Sequence, residues 1–347
     1  MPPLIRRKRE GGIVLALVLI IGLLMSTAVI AFARRATIDS LIARNRDAAA
    51  RADALARGGV QIAAFLIASD QGDEDGAVPT NTHLSDWARA KDYQIETEDG
   101  GRLRVDVRDS GSRLNLNAVL AARQATDLVG DETIEFLVEF LEKVIDELPV
   151  PPGERTWGDP RELARSLIDY VDENEERVRG GSENDWYQSQ IPPSTPANEP
   201  LRTIDELERV EGFDPVLVDG IRPYVTVHPR AGGSGINLNT APPHVLATVY
   251  HGNQGSRRLA SEDTVRRILR ARHDGRILCQ EGSADDRCIL ASEVVEGSIF
   301  LPAALGGGPR VFTVVTEATV GDISRSIEAV LDLSGGGQPT VLAWRRR

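Results

Sequence analysis

Seven carboxylates fall within the 17 residues from Asp169 to Asp185: Asp169, Asp172, Glu173, Glu175, Glu176, Glu183 and Asp185. They bracket Gly180 and Gly181. Hard oxygen ligands on a glycine-bent loop suit Ca²⁺, which takes six to eight oxygens. The spacing is not that of an EF-hand, and a solvated acidic loop is the alternative reading. Cys279 and Cys288 are the only cysteines. Two thiols cannot build a four-thiolate metal site, but in an oxidising compartment they would close a ten-residue loop as a disulfide. Such a loop adds roughly 2–3 kcal/mol in the chain-entropy picture; two buried thiols are the alternative. The five histidines, His83, His228, His244, His251 and His273, lack a nucleophile–carboxylate pattern. No nucleophile elbow, phosphate loop, dinucleotide fingerprint or HExxH is present. The expectation is a protein that is not an enzyme. A net charge of −12 and 5% aromatic residues also argue against a nucleic-acid partner.

The N-terminus sets the compartment. Arg6, Arg7, Lys8 and Arg9 precede 21 uncharged residues, Ile13 to Ala33, closed by Arg34 and Arg35. At about 1.5 Å per residue the stretch reaches across a bilayer. The basic leader predicts a cytoplasmic N-terminus and a periplasmic bulk. A cleaved secretory signal has a shorter apolar stretch, although Ala31-Phe32-Ala33 offers a small-x-small site; a plain anchor is the other reading. Gly11 and Gly12 lie between leader and apolar helix, and the segment EGGIVLALVLIIGLLMSTAVIAFARR resembles a class III signal. Prepilin peptidase cuts such signals on the cytoplasmic side, here after Gly12, leaving Ile13 as an N-methylated first residue. Most prepilins carry glutamate at the fifth mature position, where this chain has Leu17. A carboxylate at that depth is costly and is kept for a partner; its absence suggests a subunit with no neighbour on one side. Losing residues 1–12 removes four bases and one acid, taking the charge from −12 to −15.

Helical periodicity continues from the apolar stretch through Ile38, Leu41, Ile42, Ala49, Ala52, Ala56, Ala63 and Leu66, predicting one helix from about Ile13 to about Ala68. Gly58 and Gly59 weaken it locally, and a polar loop over 70–76 ends it. Period-two alternation predicts strands at 102–108, 311–320 and 324–333. Between them, 132–148, 163–171, 201–209, 215–225, 243–249 and 263–272 read as helices, with a break at 149–153. NLN occurs at 115–117 and again at 237–239, each followed by a helix start. LERVEGFDPVLVDGIRPYV resembles a helix-hairpin-helix, as does INLNTAPPHVL with VRRILRARHDG. Glu211 and Asp214 flank its single hairpin glycine, Gly212, and would repel a phosphate.

Taken in order, the Gly-ended leader without the fifth-position glutamate, RLNLNAV, SLIDYVDENEE, GGSENDWY, TIDELERVEGF and INLNTAPPHVLATV resemble the K-type minor pseudopilins (GspK family) of the type II secretion system. The resemblance covers nearly the whole chain. It implies an α+β fold: a long N-terminal transmembrane helix, a pilin-like antiparallel sheet, and a large inserted all-α domain of SAM-like or helix-hairpin-helix-like type. It implies minor pseudopilins I and J as partners, prepilin peptidase as processing enzyme, a single-pass inner-membrane location, and a role at the pseudopilus tip in protein export. It also implies Ca²⁺ in the acidic loop, with Asp172, Glu173, Glu183 and Asp185 as ligands. The expected organisation is leader 1–12, span 13–33, stem 34–68, pilin-like parts 69–110 and 233–335, inserted domain 111–232, and a tail 336–347. The alternative is an anchored periplasmic helix-hairpin-helix receptor for DNA.

Overall fold

The computed structural model describes residues 11–70, 81–125, 130–149, 157–178, 180–230, 235–253, 255–279, 285–300, 303–304, 310–334 and 339–346. The expected leader up to residue 10, most of the polar loop 70–76, and the helix break after residue 149 lie outside them. In chain order the helices are α1 (Gly11–Ser69), α2 (Asp86–Arg89), α3 (Leu116–Ala125), α4 (Gly130–Glu147), α5 (Pro160–Val171), α6 (Asn184–Ser189), α7 (Pro215–Ile221), α8 (Pro243–Leu246), α9 (Glu262–His273) and α10 (Ala291–Val294). The strands are β1 (Gln94–Glu96), β2 (Arg102–Asp109), β3 (Leu114–Asn115), β4 (Val225–Thr226), β5 (Ile236–Asn237), β6 (Tyr250–Gly252), β7 (Arg258–Leu259), β8 (Ile277–Cys279), β9 (Cys288–Leu290), β10 (Ser298–Ile299), β11 (Ala303–Ala304), β12 (Val311–Val320), β13 (Ile323–Asp332) and β14 (Thr340–Arg346).

The head is a five-stranded antiparallel sheet in the order β1-β2-β12-β13-β14, with α1 laid along one face. The stripe Ala56, Val60, Ala63 and Ile67 is buried against Leu103, Val105, Val107, Phe312, Val314, Ala318, Ile327, Ala329 and Leu331, and Ala52 before it is buried as well. Alternation puts each strand's apolar set on the same face, and small residues on α1 bring helix and sheet close. Gly59 shows why: a Cβ there would lie 2.9 Å from Leu103 Cδ1 and from Thr316 Cγ2. The pair Gly58–Gly59 leaves the helix continuous, and Gly59 sits at its tightest approach to the sheet. Thr316 Oγ1 donates to Ala56 O at 3.0 Å in that contact. From Ile13 to Asp47 every residue of α1 is exposed, including the apolar span. Residues 336–347 were expected as a tail; the described part, β14, is instead the sheet's fifth strand, because Val341, Ala343 and Trp344 fall into register against Leu331, Val330 and Ala329.

The chain leaves the sheet at Asp109 and re-enters at Val311, two positions adjacent in the β2–β12 pairing through Asp109 and Phe312. Both lie at the end of the sheet farther from the membrane span, where Arg310 donates to Ile67 O and to Asp70 O at the C-terminus of α1. One apolar core runs from Leu114 through Phe136, Phe140, Leu167 and Val225 to Ile236, Leu246, Ile268 and Phe300. The expected boundary at 232/233 therefore corrects to a later one. Residues 236–300 pack with the inserted helices, not with the head sheet, because their apolar faces share that core. Nor is the insertion wholly helical: β3 pairs in parallel with β4, β5 with β11, and β8 with β9. Residues 204–209, expected as α-helix, form a 3₁₀ helix with a Thr203–Glu206 capping box.

The two NLN segments do the same structural work. Asn117 Nδ2 donates to Leu201 O (2.9 Å) and Val227 O (2.8 Å), and its Oδ1 accepts from Leu201 N (2.8 Å). Asn239 Nδ2 donates to Leu278 O (2.9 Å) and its Oδ1 accepts from Leu278 N (2.8 Å). In each segment the first asparagine's Oδ1 accepts from the second one's N–H, at 3.0 and 2.9 Å. Asparagine suits this because its amide mimics a backbone peptide, donating and accepting at once. Asn237 also ties insertion to head, donating to Asp109 Oδ2 (2.8 Å) and Asn81 O (2.9 Å). Burial pushes the Asp109 carboxyl above the usual range, opposed by donors from Asn237, Gly111 and Thr240.

Cys279 and Cys288 are joined by a disulfide between β8 and β9. Unreduced, denatured protein is expected to take up no thiol label, and two equivalents after reduction. Labelling before reduction would sink the bond.

Candidate functional site

Helix α5 begins at an Asp159 cap whose side chain accepts from Arg161 N at 2.8 Å, with Pro160 at the first helical position. Leu163, Ala164, Leu167, Ile168 and Val171 bury one face in the core. That packing fixes where the last turn points, and Asp169 and Asp172 sit on that turn and at the C-cap. The chain then turns back through Gly180 (φ +89°) and Gly181 (φ +100°), conformations that glycine tolerates. A bridge between Glu176 and Ser182 closes the loop, and Glu183 N donates to Glu175 O at 3.2 Å. Glu183 is thereby delivered to the two aspartates at the start of α6.

Oxygens of Asp169, Asp172 and Glu183 all lie within 4.8 Å of one another. The three residues are 9%, 9% and 1% exposed. Asp169 Oδ1 accepts from Val178 N at 2.9 Å. Neither buried carboxylate oxygen of Glu183 accepts a hydrogen bond from the described residues. Burial, followed by the charges of Asp172 and Asp169, pushes the Glu183 carboxyl up to about 7. The C-terminal end of α5 adds its own negative potential. Three carboxylates in such a place could hold a cation, and Arg177 is the nearby base that opposes the shift. That guanidinium is engaged elsewhere, donating to Glu211 at 2.7 Å and to Ser182 O at 3.2 Å.

Of the four ligands expected, the structure brings together Asp172 and Glu183. Glu173 and Asp185 are exposed and lie outside the cluster. Asp169 takes a place instead. Its signal was present in the sequence: Asp169 and Asp172 stand three apart, which places both on one helix face. Tyr187, Trp186 and Tyr170 wall the neighbourhood, with Trp186 packed edge-on against Tyr187 at 4.8 Å between centroids.

The hairpin residues have structural roles. Gly212 (φ +87°) would carry a Cβ 2.7 Å from Leu163 Cδ2. Glu211 holds Arg177, and Asp214 caps α7 by accepting from Leu217 N at 2.8 Å.

A family model described as "Type II secretion system (T2SS), protein K" matches residues 112–230, a span that holds the acidic cluster. Type II secretion system protein K of Pseudomonas aeruginosa is 24% identical over 342 residues, covering 97% of this chain and 93% of that protein. By these matches the chain is similar to the type II secretion system protein K family. A second member, the putative protein K of Escherichia coli K12, is 31% identical over 153 residues, 44% of this chain and 43% of that one. The K-family fold is also seen in the crystal structure of the GspK-GspI-GspJ complex from enterotoxigenic Escherichia coli, with a TM-score of 0.59, 19% identity, and coverage of 88% of this chain and 99% of that one. Among the described residues one helix, Ile13–Ser69, is long and apolar enough to cross a membrane, with a mean hydropathy of 3.0 in its most apolar window. That helix and the likeness to protein K support a single-pass membrane-anchored protein.

Proposed function

We propose that this protein K caps the tip of the pseudopilus that drives type II export, as a structural subunit and not an enzyme. It is held in the inner membrane with its bulk in the periplasm, together with minor pseudopilins I and J. The observation that carries this reading is the position of the insertion. A domain of about 200 residues leaves and re-enters the sheet at its membrane-distal end, where the next subunit of a filament would stack. Leu17 at the fifth mature position agrees, since a subunit at the tip needs no carboxylate for a neighbour ahead of it. The DNA-receptor alternative has no support from the hairpin, whose two acids are committed to Arg177 and to the α7 cap.

The acidic cluster fits Ca²⁺, because Glu183 is buried with two oxygens that lack donors. Asp169, Asp172 and Glu183 would hold the ion. When bound, it supplies the positive charge that lets these carboxylates approach. The residues themselves join the end of α5 to the start of α6, so the site closes the loop between them.

Protein extracted from native membranes through an affinity tag tests the assignment. Two further minor pseudopilins are expected to accompany it, and its first residue should be N-methylated Ile13, reflecting cleavage after Gly12 by prepilin peptidase. A chain that purifies alone would remove the cap reading. A first residue after Ala33, or Met1 retained, would remove the processing.

A further inference from the structure

The head sheet has two edges of unlike character. β1 is three residues long, Gln94–Glu96, with polar ends. β14 is seven residues long, and all seven are exposed. Proteins ordinarily blunt a sheet edge with proline, inward charge or a short strand, since an open edge offers a row of unpaired N–H and C=O groups. The strand Thr340 to Arg346, TVLAWRR, is neither short nor interrupted by proline; its register shifts once, opposite Val330 and Leu331, and its charges are confined to Arg345 and Arg346 at the far end, leaving the first five residues uncharged. Val341, Leu342 and Trp344 remain 51%, 41% and 44% exposed. Their cross-strand partners Leu331 and Ala329 place Val341 and Trp344 on the face that carries α1. Both faces beside the edge are therefore partly apolar.

A second copy of this chain does not fit that edge. α1 runs lengthwise along β12 and opposite to it: Leu55 lies near Gly101 and, through it, Val320; Ala56 meets Thr316; and Ile67 meets Arg310. A two-fold axis that pairs β14 antiparallel with its copy reverses every direction parallel to the strands. It would point the two apolar spans at opposite membranes. A two-fold along the strands would give parallel copies, but it sets N–H against N–H and C=O against C=O across the edge.

Charge describes the occupant further. In a chain of net −12, β14 carries Arg345 and Arg346 and no acid. Their side chains are 63% and 61% exposed, and they reach Asp205 at 4.0 Å and Asp53 at 3.3 Å. Exposed pairs of this kind hold little stability and exchange readily. We infer that the outer edge of β14 receives an extended segment of a different polypeptide as a sixth strand, alternating apolar residues along its length and acidic where it meets Arg345 and Arg346. Backbone hydrogen bonds give such a contact its affinity, and the alternate side chains and the acids give it choice. In an antiparallel pairing the acids come first in the incoming strand.

The test uses the full chain in detergent and a fluorescent heptapeptide of two glutamates followed by alternating valine and threonine. Saturable binding by anisotropy is expected, with slowed amide exchange across 340–346. Replacing the two glutamates by lysines, or Arg345→Glu with Arg346→Glu in the protein, should weaken binding at least tenfold. N-methylation of alternate peptide nitrogens should abolish it. A melt of the double variant matching the parent shows that the fold is intact; if it does not match, the lysine peptide on the parent protein decides alone. No binding, binding without slowed exchange at 340–346, or equal binding of the lysine peptide would each overturn the inference. So would a chain that sediments as a dimer with 340–346 already protected.

Discussion

Millimolar calcium is expected to raise the melting temperature of the inserted domain by about 10 °C over chelator at pH 8. A ligand at a hundredfold excess over its Kd stabilises by about 2.7 kcal/mol, and a unit of this size shifts by about 4 °C per kcal/mol. Trp186, packed against Tyr187 beside the site, gives a fluorescence readout. The pH dependence follows from Glu183, whose carboxyl is raised from its ordinary 4.5 to about 7 in the fold by burial and then by Asp172 and Asp169. A raised carboxyl favours the protonated folded form. Without metal, its stabilising contribution is complete below about pH 4.5 and is lost as pH rises through about 7. Calcium takes the place of that proton, so its stabilising increment should be larger at pH 8 than at pH 5. Glu183→Gln should abolish the calcium response. In chelator at pH 8 it should melt no lower than the parent, because it removes a buried charge that has no donor. Glu173→Ala and Asp185→Ala, both exposed, should leave the response unchanged. Identical parent melts with calcium and with chelator at pH 8, and no metal in native mass spectra, would reduce the cluster to buried acids sharing protons.

Asn117→Ala should be the most damaging single substitution in the insertion, costing about 3–5 kcal/mol in urea unfolding. Three backbone groups, Leu201 N–H, Leu201 C=O and Val227 C=O, lose their partner. Each buried orphan costs about 1–3 kcal/mol, and Asn117 is 3% exposed, so little water reaches them. Asn239→Ala, which orphans Leu278 N–H and C=O, should cost somewhat less. The two losses should add, since their networks share no member. A loss below about 1 kcal/mol for Asn117→Ala would show that the loops relax to satisfy one another.

The sequence by itself determined the anchor, the stem and the strands of the head. Their signals are local: an uncharged run of bilayer length, a 3.6-residue stripe of alanines and isoleucines, and period-two alternation in 102–108, 311–320 and 324–333. Each pattern fixes which face is apolar, and that face needs only one neighbour. The order of motifs likewise pointed to the K family. The acidic loop was legible as a concentration of charge, but not as a site, because seven carboxylates offer many triplets. Only the tertiary structure chose Asp169, Asp172 and Glu183: the core face of α5 sets the direction of its last turn, and the bridge from Glu176 to Ser182 sets where Glu183 returns. The extent of the insertion was also decided there. Short apolar segments such as Ile236–Leu238 or Ile277–Leu278 suit either core equally well by pattern, and what placed them was packing into the one apolar core of the inserted helices, with Asn239 joining the two segments to each other and Asn237 tying the first of them to the head. β14 was hidden for a related reason. A strand at an edge is half solvated on both faces, so its residues carry no strict alternation, and its place is set by the register of the strand beside it.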